Sequence, residues 1–66
     1  MVKIVNDIQN VRMDAGITQE ELATKIGVSR QTIIAMEKGN YTPSVLLAHR
    51  LARFFKRPVE KMFTEI

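Results

Sequence analysis

The chain has 66 residues, 45% of them hydrophobic, and ten Lys and Arg against seven Asp and Glu give it a net charge of +3. This length suits one domain, so we expect a single domain over residues 1–66. Cysteine is absent, which excludes disulfides and thiolate metal sites, and no apolar run approaches the ~20 residues that cross a bilayer. The first ten residues carry Asn and Asp where an export signal needs an apolar stretch. We therefore expect a soluble, cytoplasmic protein without a metal or cofactor.

Positive charge is concentrated in the second half of the chain. Seven of the ten cations lie at or beyond Arg30, against three of the seven acids. This excess is compatible with a polyanionic partner, although many proteins without affinity for nucleic acid carry as much.

Glycines mark the ends of the first three predicted helices. Gly16, Gly27 and Gly39 each follow a segment with helical apolar spacing, where a glycine adopts the left-handed conformation that ends a helix.

Capping residues mark the predicted helix starts. Thr18 and Glu21 have the spacing of a capping box, and Ser29 is a favourable N-cap. Thr42-Pro43 and Pro58 each place a proline at a first helical position. The five predicted helices cover roughly residues 5–15, 18–26, 29–38, 43–55 and 58–64.

Apolar periodicity predicts which residues face the core. No segment alternates with period two over a useful length, so a sheet is not expected. The sequence therefore predicts an all-α, compact five-helix bundle. The core residues expected from the five helices in turn are Ile4, Ile8, Val11 and Ala15; Leu22, Ala23 and Ile26; Val28, Ile33 and Met36; Leu47, Leu51 and Phe54, with Ala48 and Phe55 beside them; and Val59, Met62 and Phe63.

The second and third helices are joined by the short turn Gly27-Val28-Ser29. A turn of this length sets two helices at a steep angle, as in helix-turn-helix proteins, where the start of the second helix enters the DNA major groove. With Ile33 facing inward, 100° per residue exposes Arg30 and Gln31 at that start. Arg pairs with guanine and Gln with adenine through two hydrogen bonds each. These two residues are therefore the predicted base readers.

Other polar groups near the turn suit phosphate oxygens. These are Ser29, Thr32 and the backbone N–H groups at the helix start, together with Gln19 at the start of the preceding helix. Ile34 points outward, and two interpretations stand about even: a lone surface isoleucine, or contact with a thymine methyl alongside Ala35. A contact between Ile34 and a partner protein is a third interpretation, less favoured than these two.

Three further features have a structural and a functional interpretation. Glu37 lies on the inner flank of its helix and needs a cation, for which Arg12 is the candidate. Asn40 and Tyr41 are either plain turn residues or donors to phosphate. His49 is a surface or interface histidine rather than a metal ligand, because no second histidine exists.

The segment from Thr18 to Ile33, TQEELATKIGVSRQTI, resembles the helix-turn-helix of the phage Cro and repressor family, also called the Xre family. The resemblance continues through residues 36–44 and 51–55 and covers nearly the whole chain. It implies a lambda-repressor-like DNA-binding domain of a prokaryotic or phage-type transcriptional regulator, which binds double-stranded DNA as a homodimer. Members this short are similar to regulators with no added ligand-binding domain.

The resemblance also implies residue roles. Positions that face DNA correspond to Ser29, Arg30, Gln31, Ile34 and Ala35, of which Ser29 is assigned to phosphate and the other four to bases. Arg12 and Glu37 match a structural salt bridge. Two departures stand out: Ile34 and Ala35 replace longer polar side chains, and Lys56 replaces a glycine, so we expect a different turn before Pro58. The positions that match backbone contacts are Gln19, Thr32, Lys38, Asn40 and Tyr41.

The leading hypothesis is a dimeric, sequence-specific DNA-binding repressor. The apolar tail residues Met62, Phe63 and Ile66 are candidates for the dimer contact, although Met62 and Phe63 are at least as suited to the core of their own chain. A second hypothesis is a protein-interaction module that kept the fold without reading DNA, such as an antitoxin-like or adaptor subunit. An enzyme is disfavoured, because the sequence has no cysteine, no histidine pair and no glycine-rich phosphate loop.

Overall fold

The computed structural model describes residues 4–66; the first three residues of the predicted domain lie outside the described residues. Five helices are flanked by two short strands. In chain order the elements are β1 (Ile4–Asn6), α1 (Ile8–Asp14), α2 (Gln19–Ile26), α3 (Arg30–Glu37), α4 (Val45–Phe55), α5 (Val59–Met62) and β2 (Phe63–Glu65). Within residues 4–66, no helix combines the length and the apolar character that spanning a membrane requires.

The prediction of a purely helical fold is wrong at both ends of the chain. β1 and β2 form a two-stranded antiparallel sheet, in which Val5 lies opposite Thr64. The first predicted helix therefore begins only at Ile8, and the last one ends at Met62. Ile4 lies in β1, and Ala15, also predicted to face the core, is exposed.

The core lies between the helices and contains residues from all five. In the described part of the chain ten apolar side chains are buried there. Their burial removes apolar surface from water and supplies most of the driving force for folding. The prediction placed Phe54 of α4 in the core with Phe55 beside it. In the structure Phe55 packs against the core, whereas Phe54 lies at the surface. The buried residues are Ile8, Val11, Leu22, Ala23, Ile26, Ile33, Met36, Leu47, Leu51 and Met62.

Local capping explains where α2 and α3 begin. The Thr18 hydroxyl accepts the Glu21 N–H, and a Glu21 carboxylate oxygen accepts the Thr18 N–H, which completes the predicted capping box. The pKa of the Glu21 carboxyl is lowered by these contacts. The hydrogen bond from the Thr18 backbone N–H has the largest effect, followed by that with the Thr18 side chain, and the positive charge of Lys25 adds a smaller one. Ser29 caps α3 by accepting the Thr32 N–H at 3.2 Å.

The ends of α4 differ from the prediction. Ser44 caps its start by accepting the Leu47 N–H, so Pro43 precedes the helix rather than opening it. At the other end, Lys56 itself adopts the left-handed conformation, with φ of 55°. The Arg57 N–H then donates to the Ala52 carbonyl. This is the hydrogen bond of a Schellman motif, formed here with Lys56 at the position that glycine usually occupies. The expectation of a different turn there is wrong.

Candidate nucleic-acid interface

The turn between α2 and α3 sets the geometry of the candidate site. Gly27 has φ of 86°, and the Val28 N–H bonds the Ala23 carbonyl at 3.0 Å, which closes the end of α2. Ser29 then starts α3 only two residues after Gly27. α3 buries Ile33 and Met36 against the rest of the chain. Its first two residues are left at the surface, and the side opposite Ile33 is half-buried.

The two predicted base readers occupy the first turn of α3. Arg30 and Gln31 are both exposed and are the first two residues of α3. Ile34 and Ala35, one turn further on, are half-buried, so each offers only part of its side chain to a ligand. The long polar groups therefore stand at the start of the helix, and the short apolar ones follow behind them.

The predicted phosphate-binding residues lie around both ends of α3. Ser29 is exposed and Thr32 half-buried, and their hydroxyl oxygens are 3.0 Å apart, so each hydroxyl already has a partner. Lys38, Asn40 and Tyr41 follow the helix and are exposed. The structure thus supplies polar groups before, along and after α3.

Gln19 opens α2 and lies on the same cleft as Arg30. This cleft of about 520 Å³ is open to solvent and is lined by residues from α1, α2, the loop between them, and α3. Gln19 is half-buried, and its side-chain amide donates a hydrogen bond of 3.1 Å to Glu37. This contact between the start of α2 and the end of α3 was not predicted.

An ion pair between Arg12 and Glu37 joins α1 to α3. The Arg12 Nε donates to Glu37 Oε2 at 2.7 Å, and Nη2 donates to Oε1 at 3.2 Å. The remaining nitrogen, Nη1, donates to the Ile17 carbonyl at 2.9 Å. Only 11% of the Arg12 side chain and 4% of the Glu37 side chain is exposed. The fork-to-fork geometry and the burial make this pair a rigid link between the two helices.

A second link to α3, through Asn6, was missed by sequence reasoning. The Asn6 amide donates to the Met36 carbonyl at 2.9 Å, and its oxygen accepts the Ile8 N–H at 3.1 Å. Asn6 therefore donates to a carbonyl at the end of α3 and accepts from the first N–H of α1. The signal in the sequence was an Asn two residues before an apolar helix face, but the assignment of residues 5–15 to one helix concealed it.

The candidate dimer residues differ in accessibility. Met62 is only 1% exposed and belongs to the core of its own chain, so its assignment to a dimer surface is wrong. Phe63 is half-buried and packs against that core. Ile66 is 66% exposed. Other exposed apolar side chains occur at the start of α4, where Val45 and Leu46 are 77% and 61% exposed.

Two capped helices in tight succession, with a polar exposed start on the second, constitute a helix-turn-helix unit. The sequence model of the helix-turn-helix family matches residues 8–62, from the first residue of α1 to the last of α5. The chain therefore belongs to the helix-turn-helix family, in the Xre or Cro type of DNA-binding transcriptional regulators, and not to a family of enzymes.

Relatives from archaea and bacteria support this membership. The chain is 56% identical over 57 residues to an uncharacterized HTH-type transcriptional regulator of Methanothermobacter thermautotrophicus, covering 85% of this chain and 83% of the relative. It is 52% identical over 58 residues to the uncharacterized HTH-type transcriptional regulator MJ0272 of Methanocaldococcus jannaschii, covering 88% of each. It is 33% identical over 58 residues to the cryptic phage CTXphi transcriptional repressor RstR of Vibrio cholerae, covering 88% of this chain and 52% of that protein.

Proposed function

We propose that this chain is a sequence-specific repressor that reads the major groove of double-stranded DNA with the first turn of α3. The observation that carries the proposal is the exposure of Arg30 and Gln31 on a helix whose opposite face is fixed by Ile33 and Met36. Both side chains form paired hydrogen bonds to base edges, Arg to guanine and Gln to adenine. Because the helix is anchored, these groups meet the groove with little loss of backbone freedom.

The remaining polar residues supply contacts to the DNA backbone in this proposal. Ser29, Thr32 and Gln19 lie near the start of α3 or α2, and Lys38, Asn40 and Tyr41 lie beyond the end of α3. Such contacts fix register and orientation without carrying sequence information. Ile34 and Ala35 contribute apolar contact with thymine methyl groups.

The test is selection of bound duplexes from a random DNA pool, repeated with Arg30→Ala and Gln31→Ala. We expect the wild type to select a short site and each variant to lose the preference for one or two of its base pairs. Arg53→Ala, which removes a surface cation from α4, is the matched control and should select the wild-type site. A wild type that selects nothing contradicts the proposal, as do Arg30 and Gln31 variants that select the same site equally well.

Salt dependence separates DNA binding from a protein-interaction role. Neutralising phosphates releases counterions, so the affinity for DNA should fall steeply as salt is added. Gln19→Ala should weaken binding to all sequences alike, because its contact is to the backbone. An affinity that barely responds to salt favours the interaction module instead.

The proposed active form is a homodimer on two half-sites about one helical turn, ~34 Å, apart, because one subunit offers few base contacts. Ile66, with Phe63 beside it, is the proposed contact. Ile66→Asp should then dissociate the dimer in sedimentation velocity, and Leu46→Asp, at an equally exposed apolar site, should not. If Leu46→Asp dissociates the dimer and Ile66→Asp does not, the dimer interface lies at the start of α4 instead.

Repression is supported by the similarity to RstR, which is a transcriptional repressor. A reporter promoter that carries the selected site should lose expression when the wild-type chain is present and keep it with Arg30→Ala. Increased expression with the wild type contradicts the repressor role.

A further inference from the structure

Glu37 accepts hydrogen bonds from two different elements. Its Oε2 binds Arg12 of α1, and its Oε1 accepts both from Arg12, at 3.2 Å, and from the side-chain amide of Gln19, at 3.1 Å. The carboxylate is almost fully shielded from water, with 4% of the side chain exposed. These contacts fix the carboxylate in one place, and with it one N–H of the Gln19 amide.

A primary amide is planar and has two N–H groups, so fixing one determines where the other points. In Gln19 one N–H is committed to Glu37, and among the residues that the structure describes the second N–H has no acceptor. Gln19 lines the open cleft that it shares with Arg30. A free glutamine loses side-chain conformational entropy when it binds a ligand, whereas one that is already held loses less.

Arg12 neutralises the charge of the Glu37 carboxylate. An unpaired carboxylate beside a DNA phosphate would repel it. Arg12 holds a full positive charge against Glu37 at 2.7 Å, so the pair as a unit is neutral. The protein can thus use a carboxylate as an anchor close to the place where a phosphate is expected.

We propose that Glu37 is a positioning residue, which presets the amide of Gln19 to donate its second N–H to a DNA backbone phosphate. The Arg12–Glu37 pair then serves binding as well as packing. This inference rests on the proposed function, since it requires that Gln19 meet DNA.

The test is a double-mutant cycle on affinity for the selected duplex. The background variant Arg12→Met/Glu37→Met removes the pair without changing net charge and without leaving either charge buried alone. In the wild-type background, Gln19→Ala should weaken binding about tenfold, the scale of one hydrogen bond to a charged group. In the double-methionine background, the same change should weaken binding less than about twofold, because Gln19 is no longer preset. Equal effects in both backgrounds overturn the inference.

A measurement on the wild type alone needs no variant to fold. In nuclear magnetic resonance spectra of the free protein, the two side-chain amide protons of Gln19 should differ strongly in chemical shift and exchange slowly with water. Gln9, an exposed glutamine on α1, is the internal reference for a free amide. A Gln19 amide that matches Gln9 overturns the inference.

The two possible failures are distinguishable. If the wild type binds no duplex, the proposed function is wrong and the inference falls with it. If the wild type binds duplex DNA and the cycle is additive, Glu37 has no positioning role, while the proposed function stands.

Discussion

Removing Arg12 should be among the most destabilising single substitutions outside the apolar core of this chain. Arg12→Met deletes three hydrogen bonds, two to Glu37 and one to the Ile17 carbonyl. Among residues 4–66, it leaves a shielded carboxylate with only the amide of Gln19 as a partner. Breaking a buried pair from one side costs about 3–5 kcal/mol, because the remaining charge is uncompensated.

That cost is large for this chain. A domain of this size has a free energy of unfolding of roughly 3–10 kcal/mol. Each 1 kcal/mol lowers the melting temperature of such a domain by roughly 4–8 °C. Arg12→Met should therefore lower the melting temperature by at least about 12 °C, or leave the chain unfolded at room temperature.

Thermal and urea unfolding followed by far-ultraviolet circular dichroism measure the effect. Arg50→Met is the matched control: it also removes an arginine, but an exposed one with a single bond of 3.4 Å to the Ile26 carbonyl. We expect that control to cost less than about 1 kcal/mol. The double variant Arg12→Met/Glu37→Met should regain most of the lost stability, because no charge is left unpaired. The reasoning is refuted if Arg12→Met costs no more than the control, or if the double variant is no more stable than the single one.

Three further changes test other parts of the fold. Lys56→Gly should raise the free energy of unfolding by about 0.5–1 kcal/mol in urea titrations, because Lys56 holds a left-handed φ of 55° that glycine adopts without strain; a loss of stability contradicts this. Asn6→Ala should cost about 1–2 kcal/mol in the same assay, since it leaves the Ile8 N–H without its acceptor and removes one of the donors to the Met36 carbonyl, which keeps the Gly39 N–H; a change within about 0.3 kcal/mol would show that neither bond matters. For Glu21 the folded pKa is lowered from its ordinary value of 4.5, so its contribution is present above pH 4.5 and is lost as the pH falls through the folded value. Glu21→Gln should therefore reduce the loss of stability on acidification, and identical pH profiles for variant and wild type would contradict the capping account.

The centre of the fold was predictable because its signals are local. α2 and α3 begin and end within one residue of the predicted bounds. Their caps, Thr18 and Ser29, and the turn glycine Gly27 act over three or four residues, which sequence spacing reveals directly. The same locality placed Arg30 and Gln31 at the exposed start of α3.

The ends of the fold were not predictable in the same way. β1 and β2 have three residues each and pair across almost the whole chain, Ile4 with Glu65. Strands this short show no useful alternation, and their stability comes from pairing rather than from local propensity. Within α4, Phe54 and Phe55 both suit an apolar face by spacing, and only packing in three dimensions selects Phe55.

The positions of the candidate interface residues along their helices were predictable, but the contacts between their side chains were not. Spacing places Gln19 at the start of α2 and Glu37 on the inner flank of α3. It does not reveal that the two side chains meet, because that contact depends on the angle between the helices. The Asn6 link was hidden for the same reason, since it joins residues 30 positions apart.

The most direct test of whether α3 reads DNA bases is a comparison of two binding affinities. One is measured for the selected duplex and the other for the same duplex with a single base pair changed. The changed pair is the one whose preference Arg30→Ala loses in the selection. The wild type should discriminate between the two duplexes by about tenfold or more, the scale of one paired contact to a base. Arg30→Ala should bind both duplexes equally. If Arg30→Ala weakens both complexes by the same factor and keeps the wild-type discrimination, Arg30 contacts the backbone, and the first turn of α3 does not read that base pair.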